Sequence, residues 1–252
     1  MHPGHPLKPL MRTRHSLLIL LTMAIAADAR SDAIENFYTP MVDTGELELE
    51  LRLATADETP RETLAAIGLT YGITHSWRSE MEIKFAKLGG EKLDFQAFEW
   101  ENTFLLTSPD TPGVKMGLVA ELEFPRDRSA GTEIRLGPLF QLDLDRWQLN
   151  SNLLFEKTVD TANAGPLELG YQWQFLHRSS VDWQWGIRGL GEVGKWNHWD
   201  PGNQQAHRVG PLLVGTFPLD GDDGIRFSAA WLQGISDGAE DNRITLEMEW
   251  AL

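Results

Sequence analysis

The stretch from Glu46 to Leu53 reads Glu-Leu-Glu-Leu-Glu-Leu-Arg-Leu and decides the fold class. Successive side chains of an extended strand point to opposite faces, so the four leucines share one face and the glutamates share the other with Arg52. The same period of two recurs in eleven further segments as far as Leu252. No stretch after residue 30 shows the helical period of 3.6 residues. The sequence therefore predicts an all-β protein of twelve strands.

The connections between these segments alternate in character, as they do in membrane barrels, where hairpins are short on one side and long on the other. Both ends of the chain then lie on the side of the short turns, which an even number of strands requires. We expect a single twelve-stranded antiparallel up-and-down barrel. The short turns are predicted at 75–77, 108–112, 143–146, 177–180 and 219–224, and the longer ones at 55–62, 88–92, 126–131, 160–165, 194–204 and 236–242.

The composition excludes several function classes. The chain has 252 residues, no cysteine, 42% hydrophobic residues and a formal net charge of −15. Without cysteine there is no disulfide, no thiolate zinc site and no cysteine nucleophile. A nucleic-acid partner is also disfavoured, because neutralising phosphates needs a basic face.

The amino terminus has the three-part pattern of a secretory signal peptide. Lys8, Arg12 and Arg14 precede the apolar stretch 17–27, which ends among small residues. An amino-terminal membrane anchor is the alternative, but eleven apolar residues are fewer than the ~20 that a spanning helix needs. The predicted organisation is a signal peptide at 1–29, a short periplasmic lead-in at 30–44 and a barrel at 45–252.

Alternation alone does not say which solvent meets the apolar face. In a soluble periplasmic β-protein that face is the core, whereas in an outer-membrane barrel it meets lipid. The signal peptide, segments of about ten residues and aromatic residues near segment ends favour lipid. The last strand ends Glu249-Trp250-Ala251-Leu252 and resembles the strand by which the barrel assembly machinery recognises its substrates. We expect a monomer in the outer membrane of a Gram-negative bacterium.

Several strand-and-turn motifs resemble a group of proteobacterial outer-membrane barrels related to the MetA-pathway phenol-degradation proteins. They begin with Phe37-Tyr38-Thr39-Pro40 and Gly45-Glu46-Leu47-Glu48, continue with Tyr71-Gly72-Ile73-Thr74 and Trp77-Arg78-Ser79-Glu80-Met81-Glu82, and include Leu136-Gly137-Pro138, His207-Arg208-Val209-Gly210-Pro211 and Leu246-Glu247-Met248-Glu249-Trp250. The resemblance implies an outer-membrane location and a transport role. It assigns no functional residue.

The polar face of such a barrel becomes its lumen. Rings of carboxylates would favour cations or basic solutes inside a low-dielectric wall. The alternative is a network of ion pairs that fills the bore. The predicted lumen-lining residues are Glu48, Glu50, Arg52, Glu82, Lys84, Glu99, Glu101, Glu121, Glu123, Arg135, Arg188, Arg208, Glu247 and Glu249.

The segment 194–204 is the most distinctive connection. Trp196 and Trp199 bracket His198, Asp200 follows, and His207 comes soon after. These side chains could grip a sugar or an aromatic solute, or offer ligands to a divalent metal. The alternative is a pair of interfacial tryptophans that anchors the loop.

A hydrolytic barrel is the competing function class. It would need a serine and a histidine within hydrogen-bond reach. The local candidates are His75-Ser76 and His177-Arg178-Ser179, and neither belongs to a His-x-Ser-Asn-Gly motif. The sequence thus predicts a non-enzymatic channel or transporter for small solutes, without cofactor or metal, that works by passive diffusion. An outer-membrane enzyme acting on lipid or peptide and a structural or adhesion barrel are the alternatives.

Overall fold

A computed structural model describes residues 36–57, 60–162, 164–180, 182–218 and 224–252. In this part of the chain the alternating segments form twelve β-strands. They are β1 Leu47–Ala56, β2 Glu62–Thr74, β3 Trp77–Leu88, β4 Asp94–Leu105, β5 Val114–Pro125, β6 Thr132–Leu144, β7 Trp147–Val159, β8 Glu168–Arg178, β9 Trp183–Lys195, β10 Ala206–Pro218, β11 Gly224–Gly234 and β12 Asn242–Ala251.

Each strand pairs antiparallel with the next along the chain, and β1 closes the barrel against β12. Closure leaves no unpaired strand edge, so every strand has two hydrogen-bonded neighbours. The predicted twelve-stranded up-and-down barrel is confirmed. The described residues contain no α-helix, only the short 3₁₀ turn Arg128–Ala130 between β5 and β6. None of their helical segments has the length and apolarity to span a bilayer.

The two faces of the barrel wall are reversed relative to those of a soluble protein. On β3, Met81 is 59% exposed while the adjacent Glu82 is 1% exposed. Ile67 and Leu69 on β2 are likewise exposed, as are apolar side chains on the other strands. An apolar outer face and a charged inner face are the arrangement of a membrane barrel, and they exclude the alternative of a soluble β-protein with an apolar core.

The barrel has two ends that differ in their connections. We call the end that carries Glu46 and Leu252 the terminal end and the opposite end the loop end. The loop-end connections are 57–61, 89–93, 126–131, 160–167, 196–205 and 235–241, and the terminal-end connections are 75–76, 106–113, 145–146, 179–182 and 219–223. The short turn predicted at 108–112 is longer in the structure, because β4 ends at Leu105 and β5 begins only at Val114, which leaves 106–113 between them.

The segment before β1, residues 36–46, starts inside the barrel. Asn36, Phe37 and Tyr38 are buried, and Tyr38 is 0% exposed. The chain then leaves through the terminal end and turns at Gly45, whose φ is 77°, a left-handed conformation that favours glycine. Gly45 N donates to Gly72 O at 2.8 Å, which ties the turn to β2. The predicted signal peptide lies outside the described residues.

Candidate functional site: the barrel interior

The inner face carries every side chain that the sequence predicts to line the lumen, because strand alternation and closure together point them inward. Most of them are withdrawn from solvent. The buried members are Glu50, Arg52, Glu82, Lys84, Glu99, Glu101, Glu121, Arg135, Arg188 and Arg208, and the half-buried members are Glu48, Glu123, Glu247 and Glu249.

Arg52 on β1 is the centre of the first ion-pair network. Its guanidinium contacts Glu50 on the same strand, Glu80 at 2.6 Å and Glu82 at 3.0 Å, the last two on β3. These contacts pass over the intervening strand β2, where Gly68 has no side chain. A Cβ at Gly68 would overlap the Glu80 carboxylate. Glycine at this inward position therefore lets charges two strands apart meet.

Lys84 continues the network along β3. Its ammonium group pairs with Glu99 on β4 and lies 2.9 Å from a carboxylate oxygen of Glu123 on β5. Arg135 on β6 forms ion pairs with three carboxylates. It contacts Glu121 at 2.8 Å and both Glu133 and Glu156 at 3.0 Å.

These ion pairs form one zone that we call the acidic belt. It runs from β1 to β7 on the inner face, and among the residues that the structure describes it contains more carboxylates than cations. Its carboxylates are Glu50, Glu80, Glu82, Glu99, Glu101, Glu121, Glu123, Glu133 and Glu156, and its cations are Arg52, Arg78, Lys84 and Arg135.

Residues 36–38 cross the interior between the acidic belt and the opposite wall. Asn36 Nδ2 donates to Glu101 at 2.9 Å, and Gln172 Nε2 on β8 donates to the Asn36 carbonyl at 2.7 Å. The Tyr38 carbonyl accepts from Asn152 Nδ2 on β7 at 2.8 Å. Side chains from both walls thus satisfy the backbone of a segment that forms no strand.

The Tyr38 phenol forms hydrogen bonds with two residues of the acidic belt. Its hydroxyl donates to Glu121 Oε2 at 2.5 Å and accepts from Arg135 Nη1 at 3.0 Å. Burial raises the pKa of the Tyr38 phenol well above its ordinary value; the nearby charge of Arg135 opposes this and that of Glu121 adds to it. The phenol therefore remains a neutral donor over the physiological pH range.

Phe37 packs on the side of the barrel away from the acidic belt. It forms an apolar cluster with Leu176, Leu190 and Leu212, among other buried side chains. The Arg188 guanidinium carbon lies 4.5 Å from the centre of the Phe37 ring, a cation–π geometry. Aromatic and polar anchors together hold the segment in the lumen.

The terminal-end half of β6, β7 and β8 carries a group of amides on its inner face, which we call the amide wall. Asn150 Nδ2 donates to Gln141 Oε1 at 3.0 Å, and Gln174 Nε2 donates to Asn150 Oδ1 at 3.2 Å. Gln148 Nε2 donates to the same Asn150 oxygen at 2.7 Å. The lumen is therefore rich in carboxylates along the acidic belt and rich in amides along this wall.

A cavity opens between these walls near the terminal end. It holds about 930 Å³ of empty space, counting the solvent space at its mouth. Phe37 and Met41 of the segment before β1 form one side of it. Its charged lining comprises Glu50, Arg78, Arg178, Arg188, Arg226, Glu247 and Glu249.

The loop end has a separate charged contact that the sequence did not indicate. Glu240, in the connection before β12, is buried between Arg208, at 2.6 Å, and Arg243. Burial raises the pKa of Glu240, but the adjacent Arg243 and Arg208 outweigh it and hold the pKa below its ordinary value. An acidic residue in a polar loop has no pattern that distinguishes it from its neighbours, so only the structure identifies this contact.

The side chains predicted to act together in the distinctive loop have different surroundings. Trp196 and Trp199 are 51% and 61% exposed, and His198 is also exposed. The ring of His207 is engaged elsewhere, with Tyr171 OH 3.0 Å from Nδ1 and Gln205 Oε1 2.9 Å from Nε2. Neither His198 nor His207 belongs to a potential metal-binding group among the described residues.

At the second of the two hydrolase candidates, His177 and Ser179 both contact other residues. The His177 ring packs against Trp147 and Trp185, with ring centres 4.5 Å and 5.2 Å away. Ser179 Oγ donates to the Trp183 carbonyl at 2.8 Å. His177 and Ser179 are thus each held by other partners.

No protein-family model and no curated protein matches the chain. Among solved structures, an outer membrane channel from Pseudomonas putida F1 aligns with 87% of this chain and 100% of its own, at a TM-score of 0.62 and 9% identity. The NanC porin aligns with 81% of this chain and 98% of its own, at a TM-score of 0.54 and 11% identity. At such identities the likeness shows the fold alone, and that fold is the one found in bacterial outer-membrane channel and porin barrels.

Proposed function

We propose that the protein is an outer-membrane channel through which small solutes diffuse passively, with a lumen that favours cations. The observation that carries this proposal is the acidic belt, in which nine carboxylates lie among four cationic partners in the described part of the chain. Carboxylates in a low-dielectric wall lower the energy of a cation and raise that of an anion.

A bore filled by ion pairs is the opposing interpretation. The ion pairs of Arg52 and Arg135 join side chains on different strands and narrow the lumen. The cavity near the terminal end and the amide wall support a passage, because they provide open space and uncharged polar groups beside the belt. We therefore place the solute route between the acidic belt and the amide wall, alongside residues 36–38.

The cellular setting belongs to the same proposal. We propose export by a signal peptide at 1–29, assembly through the C-terminal strand, and residence as a monomer in the outer membrane of a Gram-negative bacterium. The apolar outer face supports the membrane location. The motif resemblance to the MetA-pathway phenol-degradation group supports a transport role.

Ion conductance of the refolded protein in planar lipid bilayers tests this function. Under a KCl gradient we expect discrete conductance steps with a reversal potential that shows preference for K⁺ over Cl⁻. Exchanging Glu82 and Glu101 for Gln removes two belt carboxylates and is expected to reduce that preference. Glu91→Gln, at an exposed position in a loop-end connection, is the matched control. Heat-modifiable gel mobility establishes folding of each variant, and folded protein without conductance would disprove the channel.

A further inference from the structure

The inner face of β8 to β11 carries leucines at positions where a water-filled barrel has polar side chains. Leu190 on β9 points inward, because its cross-strand partners are the buried polar residues Gln172 and Arg208. Its group, which we call the apolar socket, is at most 4% exposed and consists of Leu176, Leu190, Leu212, Ala230 and Leu232. Such low exposure inside a lumen means that another apolar group covers the socket.

Phe37 is the group that covers the socket. Its ring belongs to the same apolar cluster and is itself only 6% exposed. The amide of Gln172 binds the backbone on both sides of this ring. Its Nε2 donates to the Asn36 carbonyl at 2.7 Å, and its Oε1 accepts from the Tyr38 N–H at 3.3 Å. One side chain of the wall therefore fixes Phe37 over the socket.

Two glycines on other strands leave room for the chain that follows Phe37. A Cβ at Gly117 on β5 would lie 3.0 Å from the Cβ of Pro40. A Cβ at Gly72 on β2 would overlap the backbone carbonyl of Asp43, and a backbone atom cannot move aside as a flexible side chain can. The inner wall is therefore complementary to this segment at the socket and also at β2 and β5.

Residues 36–38 lie halfway along the lumen. Asn152, Gln172, Leu190 and Leu212 stand at or next to the midpoints of β7, β8, β9 and β10. Hydrogen bonds, the cation–π contact and the socket link residues 36–38 with every strand from β4 to β11. A solute that enters from either end therefore has to pass this segment.

We infer that residues 36–38 form the constriction of the channel and that the Phe37 ring sets the size of the largest solute that passes. This inference rests on the proposed function, since a size limit has a meaning only in a conducting pore. Pore selectivity depends on diameter as well as on charge. Here the acidic belt supplies the charge selection, and a segment that precedes β1 supplies the size selection.

Polymer exclusion in planar lipid bilayers measures the size limit of a pore. Neutral polyethylene glycols of increasing length are added on both sides of the refolded full-length protein, and those that enter the pore lower its conductance. We expect Phe37→Ala to raise the conductance in KCl and to shift the exclusion limit toward longer polymers. Phe37→Leu keeps an apolar side chain in the socket and should give a smaller shift. Phe98→Ala, the same change on the outer face of β4, is the matched control and should change neither quantity.

A further variant separates size selection from charge selection. Glu82→Gln should lower the preference for K⁺ over Cl⁻ and leave the exclusion limit unchanged, whereas Phe37→Ala should do the reverse. Heat-modifiable gel mobility establishes that each variant is folded. A loss of stability alone does not move the exclusion limit of the folded pore.

The outcomes distinguish this inference from the proposed function. An unchanged exclusion limit in folded Phe37→Ala and Phe37→Leu would overturn the constriction and leave the channel in place. Conductance in Phe37→Ala but not in the unaltered protein would support the constriction and overturn the channel. Folded protein without conductance in either form would overturn both.

Discussion

Tyr38 shows how a single residue links the segment before β1 to the acidic belt. Its phenol is fully buried and bridges Glu121 and Arg135. A phenylalanine at this position would leave both partners without that hydrogen bond, at a cost of about 1–3 kcal/mol.

The raised pKa of Tyr38 predicts a loss of stability at alkaline pH. Because the folded-state pKa lies above the unfolded value, the stability that the phenol contributes is complete below pH ~10 and is lost as the pH rises through the folded-state value. The chain has three tyrosines. In an ultraviolet absorbance titration we expect one of them to ionise only as the barrel unfolds, and Tyr38→Phe to remove that step. Ionisation of Tyr38 near pH 10 in a folded barrel would contradict this.

Glu240 predicts the opposite pH dependence at the loop end. Its folded-state pKa lies below the unfolded value, so its contribution is present above that value and is lost as the pH falls through the folded-state pKa. We expect amide hydrogen exchange in 235–241, corrected for its intrinsic pH dependence, to rise between pH 7 and pH 3. In Glu240→Gln the exchange should be fast already at pH 7. A loop that stays protected at pH 3 would disprove the role of this contact.

At the scale of strands, Gly68 on β2 leaves the space in which side chains of β1 and β3 form ion pairs. Gly68→Leu would place a side chain where Glu80 now meets Arg52. We expect it to lower the free energy of unfolding by about 1–3 kcal/mol, the usual effect of overpacking. Gly90→Ala, in a loop-end connection with open space around it, is the control. The measurement is the temperature at which the folded band disappears on gels, and equal stability of both variants would contradict the argument.

The strands and their inward faces could be predicted from the sequence, because alternation is local and closure needs only an even number of strands. The alternation of Glu46–Leu53 alone assigns Glu50 and Arg52 to the lumen. The role of Gly68 depends on residues of both neighbouring strands and so on register, which no local pattern contains. Glu240 and residues 36–38 reach their partners only once the barrel has closed. The lining of the cavity likewise combines residues from nine strands, and it was not predictable as a group.

At the scale of the whole molecule, the stability of the barrel depends on the medium around it, because its apolar side chains face outward. Apolar side chains such as Ile67, at the middle of β2, contribute to stability only when lipid or detergent covers them. An equally exposed apolar residue in a connection between strands meets water instead, and it contributes little to the stability of the barrel.

This difference predicts unequal costs for one substitution at two equally exposed positions. Ile67 is 49% exposed on the outer face of β2, and Leu93 is 50% exposed in the connection before β4. Ile67→Arg places a charge near the middle of the bilayer and should destabilise the barrel by about 2–4 kcal/mol in lipid vesicles. Leu93→Arg should change stability by less than about 0.5 kcal/mol, as surface substitutions do. Urea unfolding in vesicles, followed by tryptophan fluorescence, measures both. Similar effects at the two sites would mean that β2 does not face lipid and would remove the basis for a membrane barrel.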